Sequence, residues 1–327
     1  MKFLHTADLH LGRLYKEKHF KYAAQRREEL WTALSNLIGY AGANDVAFIL
    51  IAGDLYEADV FSAQDMERLL MLFSKFKGEI VLIGGNHDPV DSASLYRKFK
   101  LPDNVHLLED NVFEIDDVRI YGISWNVAYD FAHDLDFDLD KNYKNIALLH
   151  GDVRDEHHFK LDVAALTDFD YVALGHIHKP HQVAPTMYYA GALAPLKFKD
   201  EGAHGFYVVD TDAMVPEFIE SAKRRYVELS VDVTGLSLDT LRQKVETIVE
   251  AHNEDFLRIV FEGSSPYTDL EHLFDYPAYY LEFKNHTRPE LDDDILSDPL
   301  FVKLHTLVKG ESFLVAARAL LETAHDY

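Results

Sequence analysis

Five short motifs hold seven residues that could bind metal: Asp8-Leu-His10, Gly53-Asp54, Gly85-Asn86-His87-Asp88, His150-Gly151 and Gly175-His176-Ile177-His178. The candidate ligands are Asp8, His10, Asp54, Asn86, His150, His176 and His178. They mix carboxylate, imidazole and amide oxygen, a set that suits manganese, iron or zinc better than calcium. A pair of such cations activates water and neutralises phosphoryl oxygens, so the chemistry implied is hydrolysis of a phosphate ester. A lone Asp-x-His or Gly-Asp carries little information. Five such motifs in this order carry much more.

The elements needed to position these residues are legible as apolar runs. Each motif follows one: Phe3–Thr6, Phe48–Ile51, Val81–Ile83, Ile146–Leu149 and Tyr171–Leu174. Loops at the ends of strands are where α/β sheets assemble sites. Glycines at 53, 84, 85, 151 and 175 are expected to let the backbone turn sharply there. If the segments stay extended, Asp8 with His10, and His176 with His178, each present two side chains to one face. Helical spacing runs from Lys21 to Gly42 and from Ala63 to Phe76, and after Val105 the pattern becomes strand-rich. The fold class expected is α/β, two packed sheets flanked by helices. A basic polar stretch at Ser221–Tyr226 marks a boundary between a domain at 1–222 and a small α+β capping domain at 223–327 that ends in a helical segment, Asp298–Ala324.

Composition narrows the partners. The 327 residues carry a formal net charge of -24 and no cysteine, so thiolate metal sites and disulfides are excluded. An acidic surface repels nucleic acid at long range, and any polyanion must be drawn in by a local basic patch, by bound cations or by a partner. The strongest patch is Arg13, Lys16, Lys18, Lys21, Arg26 and Arg27, directly after the first motif. Arg13, Lys16 and Lys18 are its candidate contacts to such a polyanion. Lys223-Arg224-Arg225 reads as a solvated face. The remaining histidines, His5, His157, His158 and His204 among them, receive no role. No export signal or membrane-length apolar run is evident, and a cytoplasmic location is expected.

The five motifs resemble those of the calcineurin-like metallophosphoesterases. Within that family, His5-Thr6-Ala7-Asp8-Leu9-His10-Leu11-Gly12, Ile51-Ala52-Gly53-Asp54-Leu55-Tyr56-Glu57 and Tyr189-Ala190-Gly191-Ala192-Leu193-Ala194-Pro195-Leu196 are similar to the SbcD/YhaO branch of DNA-repair nucleases. The resemblance implies a two-sheet sandwich holding two divalent ions, Mn2+ foremost. Asp8, His10 and His178 would hold one ion, Asn86, His150 and His176 the other, and Asp54 would bridge them. His87 and Glu57 are the implied catalytic residues, His87 steadying the phosphate or protonating the leaving 3′ oxygen and Glu57 orienting the His87 ring. Relatives commonly carry Asp or His where Glu57 stands. The branch also implies a DNA exo- or endonuclease in double-strand-break repair, homodimeric and working with a coiled-coil SMC-like ATPase. A small-molecule phosphodiesterase shares the motif set and is the alternative. A protein phosphatase and a non-catalytic scaffold fit less well.

Overall fold

The computed structural model describes residues 1–15, 20–125, 137–154, 160–267 and 269–289. The chain separates into two compact units, Met1–Arg225 and Tyr226–Tyr327.

The first unit contains two six-stranded sheets. One is built from β1 (Lys2–Thr6), β2 (Val46–Ala52), β3 (Glu79–Ile83), β4 (Val105–Leu107), β11 (Gly205–Asp210) and β12 (Pro216–Glu220), in the order β12-β11-β1-β2-β3-β4. The other holds β5 (Asp110–Ile115), β6 (Val118–Ile123), β7 (Lys144–His150), β8 (Tyr171–Gly175), β9 (His181–Ala184) and β10 (Met187–Tyr189), in the order β5-β6-β7-β8-β10-β9. Strands β1 to β4 are parallel, as are β6, β7, β8 and β10. Antiparallel strands β11 and β12 extend the first sheet beyond β1, and antiparallel β5 and β9 form the two edges of the second.

Alternation along β2 explains the layering. Phe48, Leu50 and Ala52 pack between the sheets with Phe3, Val81, Ile83, Ile120, Ile146, Leu148 and Tyr171. Ile49 and Ile51 point the other way and join Leu30, Leu34, Leu37, Met66, Leu69 and Phe73 from helices α1 (Phe20–Ala43) and α2 (Ala63–Phe73). Strands covered on both faces must be apolar throughout, which is why β2 reads VAFILIA. Helix α2 starts at a capping box formed by Ser62 and Asp65. It stops at Ser74, short of the Phe76 that its apolar spacing suggests, and a turn closes through Phe76 N to Phe73 O. Helix α3 (Leu95–Lys98) is a single turn. Among the described residues, the outer face of the second sheet is packed by Phe137, Leu161, Leu166 and Phe169 against Leu149, Val172 and Leu174, Leu166 from a 3-10 turn at Val163–Leu166.

The second unit sets β13 (Tyr226–Asp232), β14 (Phe256–Glu262) and β16 (Tyr280–Asn285) in a parallel sheet. Helix α4 (Leu238–Ala251) lays Leu241, Val245 and Val249 on Val231, Leu257, Ile259 and Phe261. Strands β15 (Ser264–Ser265) and β17 (Arg288–Pro289) form a short parallel pair. The expected segment Asp298–Ala324 lies outside the described residues.

One residue of each of two basic clusters differs from its expected role, while Lys223 and Arg225 are exposed. Arg26 and Arg224 are buried and both bond Glu29; Arg26 Nη2 also donates to Pro195 O at 2.5 Å. They serve the interior because a neighbouring carboxylate compensates their burial, so neither adds to a solvated patch.

Candidate metal centre

All five motifs leave the carboxyl ends of parallel strands: β1 before Asp8, β2 before Asp54, β3 before Asn86, β8 before His176, with His150 the last residue of β7. Register aligns these ends, Thr6 beside Ile51, Ala52 beside Ile83 and His150 beside Gly175. The pairing of ligands two residues apart does not arise from extended chain. Asp8, His10, Asp54 and His176 have φ of 52°, 47°, 52° and 102°. Non-glycine residues held at positive φ are uncommon and concentrate at functional sites, where the surroundings over-determine them.

The glycines also act differently from the expectation. Of Gly53, Gly84, Gly85, Gly151 and Gly175, only Gly53 has positive φ, 81°. Gly85 and Gly175 are needed for closeness. A Cβ on Gly85 would lie 2.3 Å from Asp54 Oδ1, and one on Gly175 would lie 1.9 Å from Ala52 O. These contacts let the strand-end loops touch without a side chain between them.

The candidate ligands are brought together. One ligand atom each from Asp8, His10 and His178 lies within 4.8 Å of the others, and the same holds for Asp8, Asp54 and His150. His10, Asp54 and His87 form a third such group. Asn86 Oδ1 sits 3.0 Å from His150 Nε2 and 3.1 Å from His176 Nδ1. Asp54 Oδ2 is 3.6 Å from His10 Nε2 and 3.5 Å from His150 Nε2, a position between two sets of imidazoles. The Asp8 carboxylate accepts His176 N–H at 3.0 and 3.1 Å, joining the β1 and β8 loops.

Tautomers decide what this cluster can hold. His150 Nδ1 donates to Ala52 O at 2.8 Å, His10 Nδ1 to Glu57 Oε1 at 3.0 Å, and His178 Nδ1 to Asp200 Oδ2 at 3.2 Å. Those acceptors carry no proton, so each neutral ring presents an Nε2 lone pair inward. Burial holds the pKa of His10 and of His150 below the ordinary value, favouring the neutral form. The inward lone pairs face each other and the carboxylates, an arrangement that divalent cations would relieve. Asp8 and Asp54 are both buried, and among the described residues neither pairs with a Lys or Arg. Burial, then the charge of Asp54, pushes the Asp8 pKa well up. Burial opposes ionisation of Asp54 too, yet His150 and His10 hold its pKa down. The donor set therefore fits divalent metal.

Beside the cluster stands His87, its side chain 39% exposed, with Nδ1 2.8 Å from Glu57 Oε2 and its backbone N–H on Asp54 Oδ1. The bond to Glu57 raises the His87 pKa. Partial burial works against ionisation of Glu57, but its bonds to His10 and His87 hold its carboxyl below the usual range. Arg13 Nη1 also donates to Glu57 Oε1, at 2.9 Å. Arg13 thus lies at this site, while Lys16 and Lys18 lie outside the described residues.

Two residues were missed from sequence. Asp88 is fully buried and accepts backbone N–H from Asp54, Leu55 and Gly85 and the Tyr96 hydroxyl, locking the β2 and β3 loops. Its place in Gly85-Asn86-His87-Asp88 was the available signal. Asp200, which holds His178, stands far along the chain with no motif to mark it.

Comparison with known proteins agrees with this geometry. The sequence pattern of the calcineurin-like phosphoesterases matches residues 1–180. The uncharacterized metallophosphoesterase YhaO of Bacillus subtilis is 28% identical over 312 residues, 83% of this chain and 74% of that protein. The DNA double-strand break repair protein Mre11 of Sulfolobus acidocaldarius is 23% identical over 331 residues, 88% of this chain and 83% of that one. A solved structure from Thermus thermophilus is similar at a TM-score of 0.44 and 13% identity, over 67% of this chain and 98% of that chain. The family pattern covers more than half of the 327 residues and includes all five strand-end motifs; the chain belongs to the calcineurin-like phosphoesterases, metal-dependent hydrolases of phosphoester bonds.

Proposed function

We propose that the chain is a DNA nuclease that cleaves phosphodiester bonds with two divalent ions, Mn2+ first among them. The observation that carries this reading is the convergence of inward imidazole lone pairs on two buried carboxylates, with a half-exposed His87 beside them. Asp8, His10 and His178 would hold one ion, Asn86, His150 and His176 the other, with Asp54 shared. Bound cations supply an activated water and neutralise charge on the phosphoryl oxygens. The bond from Nδ1 to Glu57 raises the His87 pKa and favours the imidazolium, whose Nε2–H can be given to the leaving 3′ oxygen. Glu57 orients the ring, and Arg13 adds positive charge beside a site on a chain of net charge -24.

The DNA substrate is supported by the similarity to the Mre11 repair protein and by Arg13 at the site. A role in double-strand-break repair, a homodimer and a coiled-coil SMC-like ATPase partner belong to the same proposal, as does a cytoplasmic location. Among the described residues no helix is long and apolar enough to cross a membrane. The net charge of -24 favours a second reading, a phosphodiesterase acting on small diesters, because a polyanion is repelled at long range.

One experiment separates them. Labelled single- and double-stranded DNA and a small phosphodiester are incubated with the purified chain and Mn2+, beside an Asp54→Ala control. DNA cleavage that vanishes in the control supports the nuclease. Turnover of the small diester with DNA left intact, whether or not the ATPase partner is added, selects the second reading.

A further inference from the structure

The segment after β10 folds back over His178. Gly191 has φ 74°, and a Cβ there would lie 2.7 Å from Pro180 N and 2.8 Å from His178 O. That closeness lets Ala192 N donate to His178 O at 3.0 Å. Further along, His204 lies between two carbonyls, its Nδ1 2.9 Å from Ala192 O and its Nε2 3.0 Å from Asp200 O. Arg26 reaches the same segment at Pro195 O. Held at these points, the loop carries a carboxylate to the outer nitrogen of His178. Asp200 Oδ2 lies 3.2 Å from His178 Nδ1 and also accepts Leu196 N–H at 3.0 Å; the Asp200 side chain is 4% exposed.

We infer that Asp200 is a positioning residue, whose carboxylate keeps the His178 proton on Nδ1 and so leaves Nε2 free for a divalent cation. The inference rests on the metal reading given above. An imidazole with its proton on Nε2 has no lone pair to offer at the atom 3.2 Å from His10 Nε2. Acceptors behind metal-binding histidines typically contribute about 10- to 100-fold in metal affinity. The alternative is a purely local role, in which Asp200 only caps Leu196 and the tautomer of His178 is set elsewhere.

Two measurements on the full chain decide. The first is the long-range 1H–15N spectrum of histidine-labelled, metal-free protein, with His178 assigned through His178→Gln. The second is Mn2+ titration by calorimetry of the wild type, Asp200→Ala and Asp200→Asn. The expected wild-type spectrum shows His178 protonated on Nδ1. Asp200→Ala moves that proton to Nε2 and weakens binding of one ion about 10- to 100-fold. Asp200→Asn, whose amide oxygen can accept both bonds at the same place, keeps the Nδ1 proton and restores most of the affinity. A wild-type ring protonated on Nε2 overturns the assignment, and this reading does not depend on whether a variant folds. So does an Asp200→Ala protein that binds Mn2+ as the wild type does. A wild type that binds no Mn2+ instead overturns the metal reading beneath it, a separate result that the tautomer spectrum does not share.

Discussion

The Nε2 atoms of His10 and His178 face each other across 3.2 Å, and each ring has its other nitrogen on a carboxylate, Glu57 for His10 and Asp200 for His178. With their Nδ1 atoms held by these carboxylates, the two Nε2 atoms meet head to head. With Asp8 and Asp54 buried nearby, the metal-free site is a concentration of negative potential that the rest of the fold must hold together.

Charge removal at Asp54 should matter most when metal is present. Asp54→Asn keeps the shape and retains an oxygen for the His87 backbone N–H, but removes a charge that disfavours ionisation of Asp8 and is itself held by His150 and His10. In chelator these two effects oppose each other, and the variant is expected to lie close to the wild type in stability. Saturating Mn2+ favours the wild type, because ligand at about 100 times its Kd stabilises it by about 2.7 kcal/mol. Thermal melts in EDTA and in Mn2+ check both conditions. A variant that gains as much from Mn2+ as the wild type does would remove Asp54 from the ligands.

Glu57 and His87 should separate kinetically. His87→Ala removes a ring whose nitrogen is bonded to Glu57, and it is expected to retain metal while turnover falls about 10²- to 10⁴-fold. Glu57→Ala releases His10 as well as His87, so both metal affinity and turnover should fall. Metal content by elemental analysis beside hydrolysis rates distinguishes them. Equal metal loss in both variants would place His87 among the ligands, consistent with its proximity to His10 and Asp54.

Sequence made the strands and the ligand-bearing loops legible because both leave local marks, an apolar run followed by Asp, His or Asn. The layering followed as well, since β2 and β7 are apolar on both faces. What local pattern does not carry is how chain segments meet. Asp200 reaches His178 only through a loop pinned by His204 and Arg26. Asp88 acts on backbone groups 33 and 34 residues away. Arg26 and Arg224 look like surface charges until Glu29 is placed between them.

Glycines in different surroundings should differ in sign when replaced by alanine. Gly39 and Gly42 lie in α1 with nothing within 4 Å of a new Cβ. Each replacement is expected to stabilise by about 0.5–1 kcal/mol through helix propensity and unfolded-state entropy. Gly85→Ala and Gly175→Ala place a methyl group 2.3 Å from Asp54 Oδ1 and 1.9 Å from Ala52 O. Both should cost at least about 1–3 kcal/mol, as overpacking does, and lower metal affinity by parting the loops. Denaturant midpoints give the first quantity and calorimetry the second; unchanged metal binding in a folded Gly85→Ala protein would refute the close-approach account.

His5 supplies a pH dependence independent of the ligands. It is fully buried between the sheets, with Nδ1 3.0 Å from the Tyr171 hydroxyl and Nε2 3.2 Å from Leu174 O. Burial lowers its pKa from 6.5 to about 3, outweighing the bond to Leu174. The folded protein thus prefers the neutral ring, while the unfolded chain takes up a proton near pH 6.5. Stability from this group is present above that pH and is lost as pH falls toward about 3. The loss approaches about 1.4 kcal/mol per pH unit once pH is below the unfolded value. His5→Gln has no such titration, so its melting temperature relative to the wild type should rise steadily from about pH 7 to about pH 5, the span over which the unfolded imidazole takes up its proton, whatever the offset at the upper end. A difference that stays constant across that range would mean the buried ring accepts a proton as readily as the unfolded one.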